Sequence, residues 1–176
     1  IGESETGTAL KGRHLDRAWE HMGVYRLQEQ YGCKLVNFTY EDKVYMAVPG
    51  GRILPKLEIA RVLAEADVVV DLPKLKTHKY TTITGALKNM FGCIPDPMRI
   101  VHHHHLSRII AELNFAFRDR LLVVLDGITG MEGNGPLYGT PVNMGLLGFS
   151  DNALATDLVA CGIMQIPTEN VKHLEY

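Results

Sequence analysis

Residues 66–92, ADVVVDLPKLKTHKYTTITGALKNMFG, decide how the rest of the chain is read. The stretch opens on Val68-Val69-Val70, a β-branched run without polar alternation, bounded by Asp67 and Asp71. Such a run suits a central parallel strand covered on both faces. Pro73 breaks the pattern, and residues 73–80 read as a basic loop carrying Lys74, Lys76 and His78. A helix is expected over about residues 82–91, capped by Thr81 or Thr82 and carrying Lys88 and Asn89.

Working outward, residues 121–125 (LLVVL) form a second apolar run, ending on Asp126. Between the two runs, Leu106, Ile109, Ile110, Leu113 and Phe117 fall on one helical face. Residues 145–150 read as a third strand, and Asp151-Asn152 starts a helix running to about residue 165. Strands alternating with helices predict an α/β fold with a mostly parallel sheet flanked by helices. In such sheets ligands sit outside the carboxyl ends of the strands, which would gather the loops after Val70, Leu125 and Phe149.

Toward the amino end, residues 33–40 and 43–48 flank the turn-like Glu41-Asp42 and predict an antiparallel hairpin. A helix is expected from His14, with Leu15, Trp19 and Met22 as its core stripe, Gly23 as an interruption and Gly32 as a stop. Residues 58–66 read as a further helix in Ala, Leu and Arg. The chain is expected to be a single α/β domain over residues 1–176. Its first residue, Ile1, and its last stretch, 171–176, read as cuts from a longer domain at both ends.

Composition excludes several classes. The 46% hydrophobic and 22% charged content is that of an ordinary soluble globular protein. A net charge of −2 gives no global attraction to nucleic acid or to an anionic membrane. No apolar run reaches the roughly 18 residues of a membrane helix, so a cytoplasmic protein is expected. Cys33, Cys93 and Cys161 are scattered, with no paired cysteines at short spacing, so no iron–sulfur cluster is expected within this chain.

Four groups of residues carry chemistry. Lys74, Lys76 and His78, with Lys88 and Asn89, can cradle a carboxylate or phosphate, although a solvated basic turn has the same composition. Lys88 has apolar neighbours, so its ammonium is expected to need an anionic partner. Asp126 opens a glycine-rich stretch holding Glu132 and Asn134, a position for a metal ligand or base, or for carboxylates that bond turn amides. Asp151 can cap the last helix, and Asp157 is the one charge in ALATDLVACGIM. A buried Asp157 requires a partner, for which Lys74, Lys76 or Lys88 are available. In the run His102-His103-His104-His105, helical spacing puts only His102 and His105 on a shared face, so the run alone makes no compact three-histidine site.

These motifs together resemble the family known as domain of unknown function 362. They read here as DVVVDLPKLKTH, TGALKNMFGCIP, a histidine downstream, LDGITGMEGNGPLYGTP and SDNALATDLVA. The resemblance covers about residues 66–166, in order and with compatible spacing, while the stretch before Glu58 matches less well. It implies functional positions at Lys74, Lys76, His78, Lys88, Asn89, Asp126, Glu132, Asn134, Asp151 and Asp157. It also implies a histidine, for which spacing favours His103. Relatives often carry a ferredoxin-like iron–sulfur module, which implies redox or cofactor-linked work.

The expectation is a small anionic ligand held by Lys74, Lys76 and Lys88. Asp126 and Glu132, with His103, would serve as acid/base groups, and His78, Asn89 and Asn134 would contact the ligand. A divalent metal is the one cofactor considered, with Asp126, Asp151 and Asp157 as its candidate ligands. A non-catalytic module that docks to a ferredoxin-like or other iron–sulfur protein is the alternative.

Overall fold

Burial and hydrogen bonding, more than local propensity, set the elements in the computed structural model, which describes residues 1–5, 14–96 and 104–176. Contacts divide the chain into two compact units. One is Ile1–Met46 with Leu57–Glu65 and Gly92–His104; the other is Ala47–Lys56 with Ala66–Phe91 and His105–Tyr176.

In the first unit, β1 (Gly2–Glu3) pairs in parallel with β2 (Val36–Asn37). The helices α1 (His14–Met22) and α2 (Val24–Tyr31) are separated by Gly23 at φ 73°, and Gly32 at φ 66° ends the second. Both angles lie in the left-handed region that glycine adopts without a Cβ penalty, so the chain breaks where the sequence placed the breaks. Leu15 and Trp19 are buried, whereas Met22, at the end of its helix, is 61% exposed and leaves the expected stripe. Glu5 is buried and supported: its carboxylate accepts the Leu15 N–H at 3.1 Å and the Asn37 amide at 3.0 Å.

The antiparallel hairpin exists, but its arms are β3 (Lys43–Ala47) and β4 (Lys56–Ala60). Residues 33–40 do not form its other arm and supply β2 instead. Over 56–60 the alternation of exposed Lys56 and Glu58 with buried Leu57 and Ile59 has a period of two, which outweighs helix propensity. The helix expected over 58–66 shrinks to α3 (Arg61–Ala64).

The second unit is built on a five-stranded sheet of β5 (Val69–Asp71), β6 (Lys74–His78), β7 (Thr82–Thr84), β8 (Leu121–Asn134) and β9 (Tyr138–Ser150). β5 and β6 run in parallel along successive parts of β8, with Val69 opposite Leu121, Asp71 opposite Val123 and Lys74 opposite Asp126. They form one strand course bent at Leu72-Pro73, and the Asp126 N–H donates to the Pro73 carbonyl at 2.8 Å across the bend. β7 pairs antiparallel with β6, and β9 antiparallel with β8. The helices are α4 (Ala86–Asn89), α5 (Leu106–Phe115) and α6 (Ala153–Ile163). The α/β class, with parallel strands flanked by helices, is thus as the sequence predicts.

The two faces of this sheet differ. Asp71, Leu75, Val123 and Leu125 point inward, and Ala160 of α6 packs on Leu75 and Leu125. On the other face Val70 and Leu122 remain 54% and 46% exposed, and Phe149 on β9 is 74% exposed. The apolar runs are therefore covered on one face, not on both. Residues 73–80 are largely strand, and the glycine-rich stretch after Asp126 continues β8 through Asn134 into a hairpin with β9. Gly139 there serves close packing: a Cβ on it would run into the Met131 side chain and the Glu132 carbonyl. Residues 82–91 begin as β7 and hold only the four-residue α4 before a 3-10 turn at Met90–Cys93. The loop expected after Val70 is accordingly reduced to the bend at Leu72-Pro73 and the turn at Lys79-Tyr80, and the one expected after Leu125 is strand.

Candidate functional site

Lys74 and Asp126 stand opposite each other on β6 and β8, and the Lys74 ammonium donates to Asp126 Oδ2 at 2.8 Å. The pair is half-exposed, at 43% and 41% of the two side chains. Lys74 holds the Asp126 carboxyl below the usual carboxylate range, assisted by the Ile128 N–H that donates to Oδ1 at 3.0 Å. Lys76 and His78 follow at alternate positions of β6 and share the Lys74 face. The Tyr80 N–H donates to His78 Nδ1 at 3.2 Å. Glu132 and Asn134 are exposed near the far end of β8, opposite Thr140 and Tyr138 of β9.

Asp71 lies on the other, covered face. It is 5% exposed, and the Asn89 side-chain amide donates to its Oδ1 at 2.6 Å. Burial pushes the Asp71 carboxyl up from 3.8 to about 7, against the lowering pull of Asn89 and with a further push from the Asp157 charge. Its Oδ2 has no hydrogen-bond partner among the described residues. A carboxyl that titrates near neutrality is the type of group used for proton transfer. Lys88, beside Asn89 on α4, places its ammonium 4.9 Å from the centre of the Phe91 ring, a cation–π contact.

Asp157 is fully buried, and the partners expected for it are corrected by the geometry. Its Oδ1 accepts the Ala86 N–H at 2.6 Å and its Oδ2 accepts the Leu87 N–H at 3.1 Å, with His173 Nε2 3.8 Å away. The carboxylate thus takes the capping place expected of Thr81 or Thr82. Asp151 is exposed and does not cap α6; Asn152 does, accepting the Ala155 N–H at 3.0 Å.

The expected constellation is therefore split by the sheet. Lys74, Lys76, His78 and Asp126 share one face, while Asn89 and Asp157 serve the other. Among the described residues, no three His, Cys, Asp or Glu side chains gather as a metal-holding group. Asp126, Asp151 and Asp157 in particular are separated. His103, favoured for the downstream histidine, lies outside the described residues; His104 and His105 are exposed. Sequence reasoning missed Asp71, Glu112, Asn114 and His173. For Glu112 and Asn114 a signal existed, since each stands inside the apolar run of residues 109–117, the same argument that flagged Asp157.

Comparison with known proteins places these features in context. The model of the family described as "Domain of unknown function (DUF362)" matches residues 1–162, further toward the amino end than the motifs alone indicated. The thylakoid-associated protein sll1697 of Synechocystis sp. (strain ATCC 27184 / PCC 6803 / Kazusa) is 38% identical over 117 residues. That match takes in 62% of this chain but only 36% of the relative's length. No solved structure matches. Among the described residues, no helix is long and apolar enough to cross a membrane.

Proposed function

This chain belongs to the DUF362 family, whose description names no reaction, and on that premise we propose that it binds a small anionic ligand, a carboxylate or phosphate, on the open face of β6. The observation that supports this is the Lys74–Asp126 pair. An ion pair this exposed contributes about 0–1 kcal/mol, so an arriving anion can take Lys74 from Asp126 at little cost. Asp126 would keep the Ile128 N–H as it swings away. Lys76 extends the cationic row along the same strand face, and His78, whose Nδ1 accepts the Tyr80 N–H, adds a ring N–H donor at Nε2. A charge-assisted contact to Lys76 and a hydrogen bond from His78 would orient a bidentate ligand.

Asp126 in this reading is a standing negative charge, because Lys74 depresses its pKa. It suits electrostatic gating or holding a cation better than giving up a proton. A divalent cation there would compete with the Lys74 ammonium for the carboxylate, while Oδ1 also holds the Ile128 N–H. Lys88 is left out of the ligand set, because its helix belongs to the covered face.

Isothermal titration of inorganic phosphate and of succinate into the intact chain at low salt tests the proposal. Lys76→Ala should weaken the better ligand about tenfold, and Asp126→Asn should tighten it by removing the internal competitor. Lys88→Ala should change nothing. Absence of saturable binding by either anion, or equal affinity in all variants, sinks the reading.

One observation favours a second reading, a docking module for a ferredoxin-like partner: Val70, Leu122 and Phe149 leave the open face apolar beside the basic row. Titration with a ferredoxin, followed by amide shifts, separates the two. Shifts centred on Phe149 support docking, and shifts confined to residues 74–78 support the anion.

A further inference from the structure

β9 is an edge of the five-stranded sheet: it pairs with β8 on one side, and among the described residues no strand pairs with its other side. The direction of its backbone groups follows from the register. The Asp126 N–H donates to the Pro73 carbonyl, on the β5–β6 side of β8. Asp126 and its β9 partner Leu147 therefore form a non-bonded antiparallel pair, and the Leu147 N–H and C=O point away from β8. Phe149, two positions on and opposite Val124, presents its own N–H and C=O the same way. Gly148 between them, opposite Leu125, turns its groups into the ladder. The Leu147 and Phe149 side chains are 52% and 74% exposed on the open face. No Asp, Glu, Lys or Arg occurs from Tyr138 to Ser150. Sheet edges are ordinarily blunted by charges, prolines or bulges. Here Pro141, and the register shift at Gly127/Thr129 with Gly145 at φ 61°, blunt only the first part of β9. Residues 146–150 (LLGFS) stay in continuous register, uncharged and unguarded.

We propose that this edge pairs antiparallel with the same edge of a second copy of the chain, joining the two sheets into one. A two-fold axis through Gly148 sets Leu147 of each copy opposite Phe149 of the other. These are the residues whose backbone groups point outward, so the two pairs exchange roughly four N–H···O=C bonds. On the open face each pair also sets a leucine against a phenylalanine, a cross-strand contact that stabilises antiparallel sheets. At the axis Gly148 meets Gly148 in a non-bonded pair, where Cα atoms approach to about 4.5 Å and two glycines bring no side chains to clash. Charge favours a second copy over a foreign strand. An uncharged segment meets no like charge in itself, and it offers an acidic or basic strand no opposite charge to select it. Asp151, the first charge past the segment, falls opposite Gly145 and not opposite its own copy. β6 lies on the far side of β8, so the pairing leaves Lys74 and Lys76 open and does not rest on the anion reading.

Sedimentation velocity of the intact chain over a range of concentrations should show a monomer–dimer equilibrium. Phe149→Lys, at a position exposed enough to keep the fold, should weaken the dimer at least tenfold. Leu137→Lys, at a 76% exposed apolar site outside the paired segment, should leave it unchanged. Amide hydrogen exchange gives a second measurement that does not depend on a variant. The Leu147 and Phe149 N–H groups should exchange more slowly as concentration rises, while Gly148, already bonded to β8, should be protected throughout. A chain that stays monomeric, or a dimer that Phe149→Lys leaves intact or Leu137→Lys weakens equally, would overturn the proposal. So would a dimer in which the Leu147 and Phe149 amides exchange as in the monomer. Slowing of those two amides only when a ferredoxin is added would also overturn it, and would give the edge to a foreign chain.

Discussion

Asp157, in the middle of α6, closes the amino end of the helix that begins at Ala86: its Oδ1 accepts the Ala86 N–H at 2.6 Å, across 71 positions of sequence. The four-residue α4 has no cap of its own from Gly85, so a distant side chain fixes where it starts. Asp157→Asn should lower stability to urea by about 2 kcal/mol, since an amide cannot accept both N–H groups. Unchanged stability would show the cap to be dispensable.

Gly85 is the second lock on the same contact. Its backbone is extended, so any residue could adopt it, but a Cβ there would press into the Asp157 carboxylate. Gly85→Ala should cost about 1–3 kcal/mol by overpacking. Combined with Asp157→Asn, its effect should be less than additive, because both changes break one arrangement. A double-mutant cycle by chemical denaturation reads this directly.

Asp71 sets a pH dependence. Its carboxyl is raised to about 7 by burial, so between pH of about 4 and 7 the folded chain keeps a proton that the unfolded chain has lost. Stability should fall as pH rises through this window, by on the order of 4 kcal/mol, and level off above it. Asp71→Asn should remove that fall and raise the melting temperature at pH 8 but not at pH 4. Thermal melts of both proteins across the range provide the check.

Glu112 acts in the opposite direction. Burial raises its pKa, but Arg108 and the N–H groups of Arg52, Ile53 and Leu54 outweigh burial and hold it at about 2. The stabilisation, on the order of 3 kcal/mol, is present above about pH 4.5 and is lost as pH falls toward 2. Glu112→Gln should therefore destabilise the chain at neutral pH and flatten its acid unfolding. Amide hydrogen exchange should speed up first at residues 52–54.

The Lys74–Asp126 pair should be nearly silent in stability. Asp126→Asn is expected to change unfolding free energy by less than about 1 kcal/mol, and less still in high salt. A larger loss would mark the pair as structural and weaken its assignment to ligand binding.

How much of this was legible in the sequence depended on whether the deciding partner was local. Gly23 and Gly32 end their helices through their own backbone angles, and the face of α5 repeats within a few turns, so both could be read directly. The α/β class followed from the two apolar runs. The strand at residues 74–78 was not legible, because a lysine-rich segment after a proline has loop composition, and only β8 and β7 on its flanks make it a strand. Residues 58–60 were misjudged because helix propensity competed with an alternation only four residues long, from Lys56 to Ile59. At the site, Lys74 and Asp126 were assigned to one cluster, as anion holder and acid/base group, and not to an ion pair. The partners of Asp157 were not recognised, since backbone amides leave no trace in residue type. His173 sat in an apparently featureless tail, and nothing local marks an imidazole as buried.

The bent course of β5 and β6 puts Asp71 and Lys74, three residues apart, on opposite faces of the sheet. It makes the strand a septum between two compartments: one dry, where charge is governed by a proton, and one wet, where it is governed by salt. A change in ionic strength should reach the Lys74–Asp126 pair without troubling Asp71, whose charge answers to pH near neutrality. Two independent controls are thus threaded on a single strand.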